Sequence, residues 1–138
     1  MKYILMMQFP LWAWKTEGMA TWAPEDIQKN MRFLKRFNQE LSEAGELVNI
    51  EGLALPEQAR MVRAGKNGAP EVTDGPFPEA KEFLAGWWII DVESPERAYD
   101  IAARASAMPG RGGVPSNIPI EVRPVMALDS VKSDDCNR

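Results

Sequence analysis

The amino-acid sequence predicts one α+β domain built around a split β-α-β sheet. Residues 2–8 and 86–92 are apolar at almost every position, as in strands that are buried on both faces. Two further segments repeat apolar residues every three or four positions, which indicates helices that cover one face of the sheet. A split β-α-β order places the first and third main strands at the centre of the sheet. The two apolar segments are therefore predicted to be the central strands.

The first helix is predicted at residues 24–44. Pro24 suits the first turn of a helix, the acidic residues that follow it complement the helix dipole, and Gly45 ends the helix. The charged side of this helix is expected to face solvent, and its apolar side is expected to face the core. The apolar stripe consists of Ile27, Met31, Leu34, Phe37 and Leu41.

The sequence between the first helix and the second central strand predicts a hairpin. Residues 46–55 are expected to form a strand that precedes it. Residues 59–63 and 70–73 then flank a turn-forming stretch at residues 64–68. Residues 79–84 are expected to form one helical turn before the second central strand begins.

The second helix is predicted to begin at Pro95, with Ser94 as its N-cap, and to end before Pro109. Its apolar side is a narrow stripe of mostly small residues, so this helix is expected to lie close to the sheet. Residues 120–126 alternate between apolar and polar side chains, which is typical of an edge strand.

Length and composition limit the class of protein. A chain of 138 residues corresponds to one domain, which we assign to residues 1–127, followed by a polar tail at residues 128–138. No apolar run approaches the roughly 20 residues that a membrane span needs, and the apolar start is too short for a signal peptide. The single cysteine, Cys136, excludes an intrachain disulfide. These features predict a cytoplasmic protein without a membrane partner.

Charge and residue types exclude several kinds of chemistry. The net charge of −4 disfavours binding to a nucleic-acid backbone. The chain has no histidine, which excludes Ser-His and Cys-His nucleophile pairs and zinc sites that contain histidine. No P-loop, glycine-rich dinucleotide motif or metal-ligand spacing occurs. The sequence therefore predicts no nucleic-acid partner, no metal and no cofactor.

Asp74 is the leading candidate for a catalytic residue. It lies in a segment, residues 72–82, that carries two prolines between the hairpin and the second central strand. Pro76 and Pro78 have no N–H group, so the N–H of Phe77 is the standard local partner left for the Asp74 carboxylate. Two roles of Asp74 stay open: its carboxylate either bonds to the backbone of a local turn or faces a pocket. In the second case Asp74 is expected to lie in a concave, partly desolvated site.

Other side chains are candidates for ligand binding. Lys81, Arg63 and Arg123 would supply positive charge to an acidic ligand, or else form surface charges and ion pairs. Phe77, Trp12 and Trp14 would supply aromatic contacts. The loop at residues 9–23 carries three tryptophans, with Trp22 as the third, and is expected to border the same cavity as residues 72–82. The alternative is that these tryptophans cap one end of the core.

The motif Thr73-Asp74-Gly75-Pro76-Phe77, followed by Glu79, Lys81-Glu82 and Gly86, resembles the signature of the DGPF group within the YCII-related domain family. Further similarities occur at residues 1–3, 52–53 and 121–125, so the resemblance covers roughly residues 1–127. It implies a ferredoxin-like βαββαβ domain with an inserted hairpin that pairs as a dimeric α+β barrel. It also implies a family whose members mostly lack an assigned activity.

The resemblance has two departures that concern function. Ala85 stands where many DGPF relatives have the first glycine of a Gly-Gly pair. Other branches of the family are associated with a histidine–aspartate pair proposed as an active site. With no histidine in this chain, that chemistry cannot be carried over.

Two hypotheses for the function remain. In the first, the protein binds a small acidic or aromatic metabolite beside the Asp-Gly-Pro-Phe segment, and Asp74 performs acid–base chemistry of an isomerase or lyase type. In the second, it is a non-catalytic binding or regulatory module. The resemblance favours a link to sigma-factor-type transcription control, because genes of DGPF relatives often look like genomic neighbours of extracytoplasmic-function sigma factors. In both, a sheet face with Trp, Ile and Met and no covering helix predicts a homodimer.

Overall fold

The computed structural model describes residues 1–75 and 80–126. In these ranges the strands are β1 (Lys2–Pro10), β2 (Leu47–Gly52), β3 (Arg60–Ala64), β4 (Pro70–Asp74), β5 (Glu82–Asp91) and β6 (Ile120–Pro124). The α-helices are the short α1 (Trp14–Glu17) and the longer α2 (Pro24–Glu43) and α3 (Pro95–Ser106). Phe77, a candidate for ligand binding, and the predicted polar tail at residues 128–138 lie outside the described residues.

The four main strands form an antiparallel sheet in the order β2-β5-β1-β6, and β3 pairs with β4 in a separate two-stranded sheet. The central strands are β1 and β5, as the sequence predicts. One set of their apolar side chains, with Leu5 and Trp88, belongs to the buried core, and the alternate set, with Ile4 and Ile89, is half-buried on the opposite face. The mixed α+β class is confirmed.

One face of the sheet carries the core. Leu5 of β1 lies opposite Trp88 of β5, and Tyr3 lies opposite Ile90. Helices α2 and α3 pack on this face through buried side chains. Those side chains are Phe37 and Leu41 from α2, and Ala98, Ile101, Ala102 and Ala105 from α3. The small alanines bring α3 close to the sheet, as predicted.

The buried side of α2 differs from the predicted stripe. Met31 is 61% exposed, whereas Asp26 and Asn30 are buried. The Asp26 Oδ2 atom accepts a hydrogen bond from the N–H of Gly112 at 2.9 Å, and Asn30 Nδ2 donates to the carbonyl of Pro109 at 2.9 Å. These bonds to a distant loop offset part of the cost of burying the two polar side chains, although among the described residues the Oδ1 atom of Asn30 is buried without a hydrogen-bond partner. The helix is rotated accordingly, and Met31 faces solvent.

The predicted helical turn at residues 79–84 is wrong for its described part. Glu82 and Phe83 belong to β5 and pair with Pro10 and Phe9 of β1. The register of the two strands shifts between Met7 and Gln8, which lets the pairing continue past the centre of the sheet. The physical reason is the length of β1, which extends to Pro10 and offers a partner to this segment.

We call the other face of the sheet the open face. Its apolar centre is formed by Ile4, Met6, Trp87 and Ile89. In the strand register Ile4 lies beside Ile89, and Met6 lies beside Trp87. Each of the four side chains is half-buried in the single chain. Polar residues flank the four side chains on the two outer strands. They are Asn49 and Glu51 on β2 and Glu121 and Arg123 on β6.

Within residues 1–75 and 80–126, no helix combines sufficient length with sufficient apolar character to cross a bilayer.

Candidate functional site

A cavity of about 650 Å³ lies at the end of the sheet where β1 finishes and β5 begins. We call it the Trp12–Lys81 cavity. Its walls come from two short segments, Pro10-Leu11-Trp12 and Ala80-Lys81-Glu82. The N–H of Leu11 donates to the carbonyl of Lys81 at 2.8 Å and joins the two segments.

Local structure explains why Trp12 reaches this cavity. Pro10 has no N–H group and ends β1, and its carbonyl accepts a bond from the N–H of Ala13 at 3.1 Å. The chain therefore turns sharply before α1, and Trp12 lies at the turn with 73% of its surface exposed. Glu82 pairs with Pro10, so the residues that precede β5 lie at the same end of the sheet.

The described lining residues supply an aromatic ring, apolar surface and two opposite charges. Lys81 is the cation and Glu82 is the anion among them, and both side chains are exposed. Within the part of the chain that the structure describes, no cluster of three metal-ligating side chains occurs. The arrangement is suited to binding a small ring that carries an acidic group.

A second, more apolar cavity of about 400 Å³ lies next to it. Ala80 and Glu82 line both cavities. The further walls of the second cavity come from residues 53–56 and from Phe83 and Leu84 of β5. Phe83 also packs edge to face on Phe9, with ring centroids 5.8 Å apart. This contact holds the start of β5 against the end of β1 and so supports the walls of both cavities.

The three tryptophans of residues 9–23 do not share one cavity. Trp22 lines a separate space of about 280 Å³ beside Arg111, and its Nε1 donates to the carbonyl of Glu17 at 3.0 Å. Trp14 is half-buried, with the Nζ of Lys15 5.3 Å from its ring centroid. The turns at α1 and just after it point the side chains in different directions. Of the three, Trp12 is the one that lines the cavity beside Lys81.

Asp74 does not line either of these cavities, although the N–H of the next residue, Gly75, donates to the carbonyl of Ala59, which lines the second one, at 3.0 Å. Asp74 is the last residue of β4, and its side chain is 96% exposed in the single chain. Its Oδ1 atom is 3.6 Å from the Nε atom of Arg60, which lies opposite it on β3. The expected partly desolvated surroundings are therefore not found in the single chain, because both strands of this hairpin are exposed. A catalytic role for Asp74 stays a prediction.

The three predicted cations are dispersed. Arg63 lies on β3 opposite Glu71. Arg123 lies on β6 beside Ile4, at the margin of the open face. Lys81 is the one that lines the cavity with Trp12. Sequence reasoning missed Pro10 and Leu11 as site residues, although the apolar run of β1 continues directly into them.

A cavity of about 660 Å³ lies at the opposite end of the sheet, beside an ion pair. It is lined by Glu46, Asp91 and Arg97 among others. Arg97 donates from Nε and Nη2 to the two carboxylate oxygens of Glu46, at 2.9 and 2.7 Å. These hydrogen bonds, together with the positive charge of Arg97, lower the pKa of Glu46 against the opposing effect of burial. The pair ties α3 to the start of β2.

Glu46→Gln is expected to remove a part of the pH dependence of stability. The folded pKa of Glu46 is lowered, so its contribution is present at neutral pH and is lost as the pH falls through that pKa. The variant should be about 1–2 kcal/mol less stable at pH 7, since Arg97 is partly exposed. The difference should shrink as the pH falls below the ordinary range of a glutamate, because Glu46 of the parent then becomes protonated. Urea unfolding over a series of acidic pH values measures it, with exposed Glu43→Gln as the control.

The comparisons with known proteins agree with the sequence resemblance at the level of the family. The sequence model of the YCII-related domain matches residues 7–120. An uncharacterized protein of Rhizobium meliloti (strain 1021) is 34% identical over 106 residues, which are 77% of this chain and 81% of the relative. The region that matches the family, residues 7–120, contains both segments of the Trp12–Lys81 cavity. Membership of the DGPF group stays a prediction.

Proposed function

The chain belongs to the YCII-related domain family, and from that premise we propose that it binds a small aromatic carboxylate in the Trp12–Lys81 cavity. The observation that carries the proposal is the joining of an exposed indole and an exposed ammonium group in one cavity of about 650 Å³. The hydrogen bond between Leu11 and Lys81 keeps the two segments together before any ligand binds.

The lining residues define the class of ligand. The Trp12 ring offers a face for stacking on an aromatic ring. The Lys81 ammonium group attracts a carboxylate as a point charge. Glu82 lies beside Lys81 and repels a second negative charge, so a ligand with a single acidic group is favoured over a dicarboxylate or a phosphate ester. Pro10, Leu11 and Ala80 offer apolar contact area.

The proposal is for binding without a chemical step. General acid–base catalysis needs a group within hydrogen-bond reach of the substrate. Among the described residues, Asp74 is not part of the lining of the Trp12–Lys81 cavity, and its carboxylate pairs with Arg60. These surroundings support the binding hypothesis over acid–base chemistry performed by Asp74 in this cavity.

Binding can be tested with benzoate, 4-hydroxybenzoate and phenylacetate as probes, through quenching of tryptophan fluorescence. We expect saturable quenching in the parent protein. Trp12→Leu should abolish the quench, and Lys81→Gln should weaken the affinity about tenfold by removing the partner of the carboxylate. Benzamide has no charge to pair with Lys81. Its affinity for the parent should therefore be no higher than the affinity of benzoate for the Lys81→Gln variant.

Trp14→Leu is the matched control, because Trp14 lies two residues after Trp12, in α1, and does not line this cavity. It should keep both the affinity and most of the quench. Equal loss in the Trp12 and Trp14 variants, or equal affinity for benzoate and benzamide, would contradict the proposed site.

We also propose that the protein is a homodimer that pairs through the open face. Ile4, Met6, Trp87 and Ile89 form a continuous apolar strip, whereas the core face is covered by α2 and α3. The strip has polar residues at both edges, which is the usual pattern of an apolar interface centre with a polar rim. Stacking two such faces would remove the four side chains from water.

A further inference from the structure

The β3–β4 hairpin is exposed over almost its whole surface. Each strand has five residues, and of these Met61 is the one that is half-buried. The two strands pair with each other and not with the four-stranded sheet. A two-stranded hairpin of this kind is only marginally stable in water. A contact with another surface would therefore stabilise it.

One face of the hairpin has the chemistry of an interface. Val62 and Val72 lie directly opposite each other and are 59% and 57% exposed. Alternate residues share a face, so Arg60, Ala64, Pro70 and Asp74 lie on the same side as the two valines. We call this side the valine face. The other side carries Met61, Arg63, Glu71 and Thr73.

We propose that the valine face packs against the valine face of a second copy of this chain. A two-fold axis parallel to the strands would place Val62 against the partner's Val72. The same axis would place Arg60 against the partner's Asp74, and Asp74 against the partner's Arg60. The face is thus complementary to itself in charge as well as in apolar surface, which is what a two-fold interface requires.

The size of the open face gives a second argument. A standard interface involves roughly 20–30 residues on each partner. The open face has an apolar centre of four residues with four polar residues beside it. It is small by this measure, and two stacked hairpins would add to it. The inference therefore rests on the homodimer proposed above and extends it to a second contact.

This arrangement also gives Asp74 a role outside any pocket. Its carboxylate has one cation 3.6 Å away and is otherwise exposed. In the paired hairpins it would lie between Arg60 of its own chain and Arg60 of the partner. Asp74 would then act as a determinant of pairing.

The test uses two oppositely charged variants of the full chain, Arg60→Glu and Asp74→Arg. In each homodimer, like charges face each other and should weaken pairing about tenfold. In a heterodimer of the two variants, all facing charges are opposite. After equimolar mixing, native mass spectrometry should find heterodimers as about nine-tenths of all dimers, instead of the statistical half. Local damage to the hairpin by either substitution would not be repaired by mixing.

The matched control is the pair Arg63→Glu and Glu71→Arg, which has the same chemistry on the other side of the same hairpin. This mixture should give the statistical half. The inference is overturned if the first mixture also gives the statistical half, if the control mixture shows the same excess, or if the parent chain is a monomer. The benzoate titration of the parent is scored separately, so failure of the hairpin contact and failure of the binding site can be told apart.

Discussion

Replacing Trp88 with alanine is expected to lower the free energy of unfolding by about 3–5 kcal/mol. Trp88 is 3% exposed, at the centre of the core face. Its ring packs edge to face on Phe37, with centroids 5.8 Å apart, and its Nε1 donates to Asn38 Oδ1 at 2.8 Å. The substitution creates a large cavity and removes the donor to a partly buried acceptor. Both effects destabilise the folded state.

Urea unfolding followed by far-ultraviolet circular dichroism measures this loss without depending on tryptophan emission. A loss of this size is a large fraction of the stability of a typical domain and can unfold the variant. Trp88→Phe keeps most of the side-chain volume and therefore serves as a second, milder variant. It should cost about 1–2 kcal/mol, mainly through the lost hydrogen bond. Trp12→Ala, at a 73% exposed position, should cost under about 1 kcal/mol. Equal losses for Trp88→Ala and Trp12→Ala would contradict the packing described above.

Replacing Ile89 with lysine is expected to convert the proposed homodimer into a monomer. Ile89 lies at the centre of the open face, between Asn49 of β2 and Ile4 of β1. Pairing of two such faces would bury two lysines between the stacked apolar strips. Burial of an unpaired charge costs several kcal/mol, so the dimer should weaken by at least a hundredfold. Sedimentation equilibrium at micromolar concentration should report the monomer mass of 15.5 kDa.

Met31→Lys is the matched control for this experiment. It makes the same kind of change, from an apolar side chain to lysine, on the solvent side of α2, where Met31 is 61% exposed. This variant should stay a dimer. A parent protein that sediments as a monomer, or an Ile89→Lys variant that dimerises like the parent, would exclude the open face as the interface.

Much of the fold could be predicted because its signals are local. Pro24 begins α2, and the side chain of Ser94 accepts a hydrogen bond from the N–H of Arg97 as an N-cap of α3. Residues that are apolar on both faces mark β1 and β5 as the central strands. Each of these signals acts within a few residues of the chain or follows directly from the periodicity of side chains.

The candidate site could be predicted only in part. Trp12 and Lys81 were both candidates, but they are about seventy positions apart in the sequence and meet because β1 and β5 pair up to Pro10 and Glu82. Nothing local distinguishes Trp12 from Trp14 or Trp22 as the residue that lines the cavity. Likewise, the place of Asp74 in the Asp-Gly-Pro-Phe motif does not reveal that its side chain is exposed at the end of the β3–β4 hairpin.

The sequence by itself determined the class of the fold, the central strands and the starts of the two long helices, since hydrophobic periodicity and capping chemistry act over short distances. Only the tertiary structure decided which side of α2 is buried, because Asp26 and Asn30 find their partners at Gly112 and Pro109. It also decided that Glu82 and Phe83 extend a strand, because Pro10 and Phe9 pair with them. In each case the deciding interaction joins residues distant in sequence, and their hydrogen bonds outweigh the local preference.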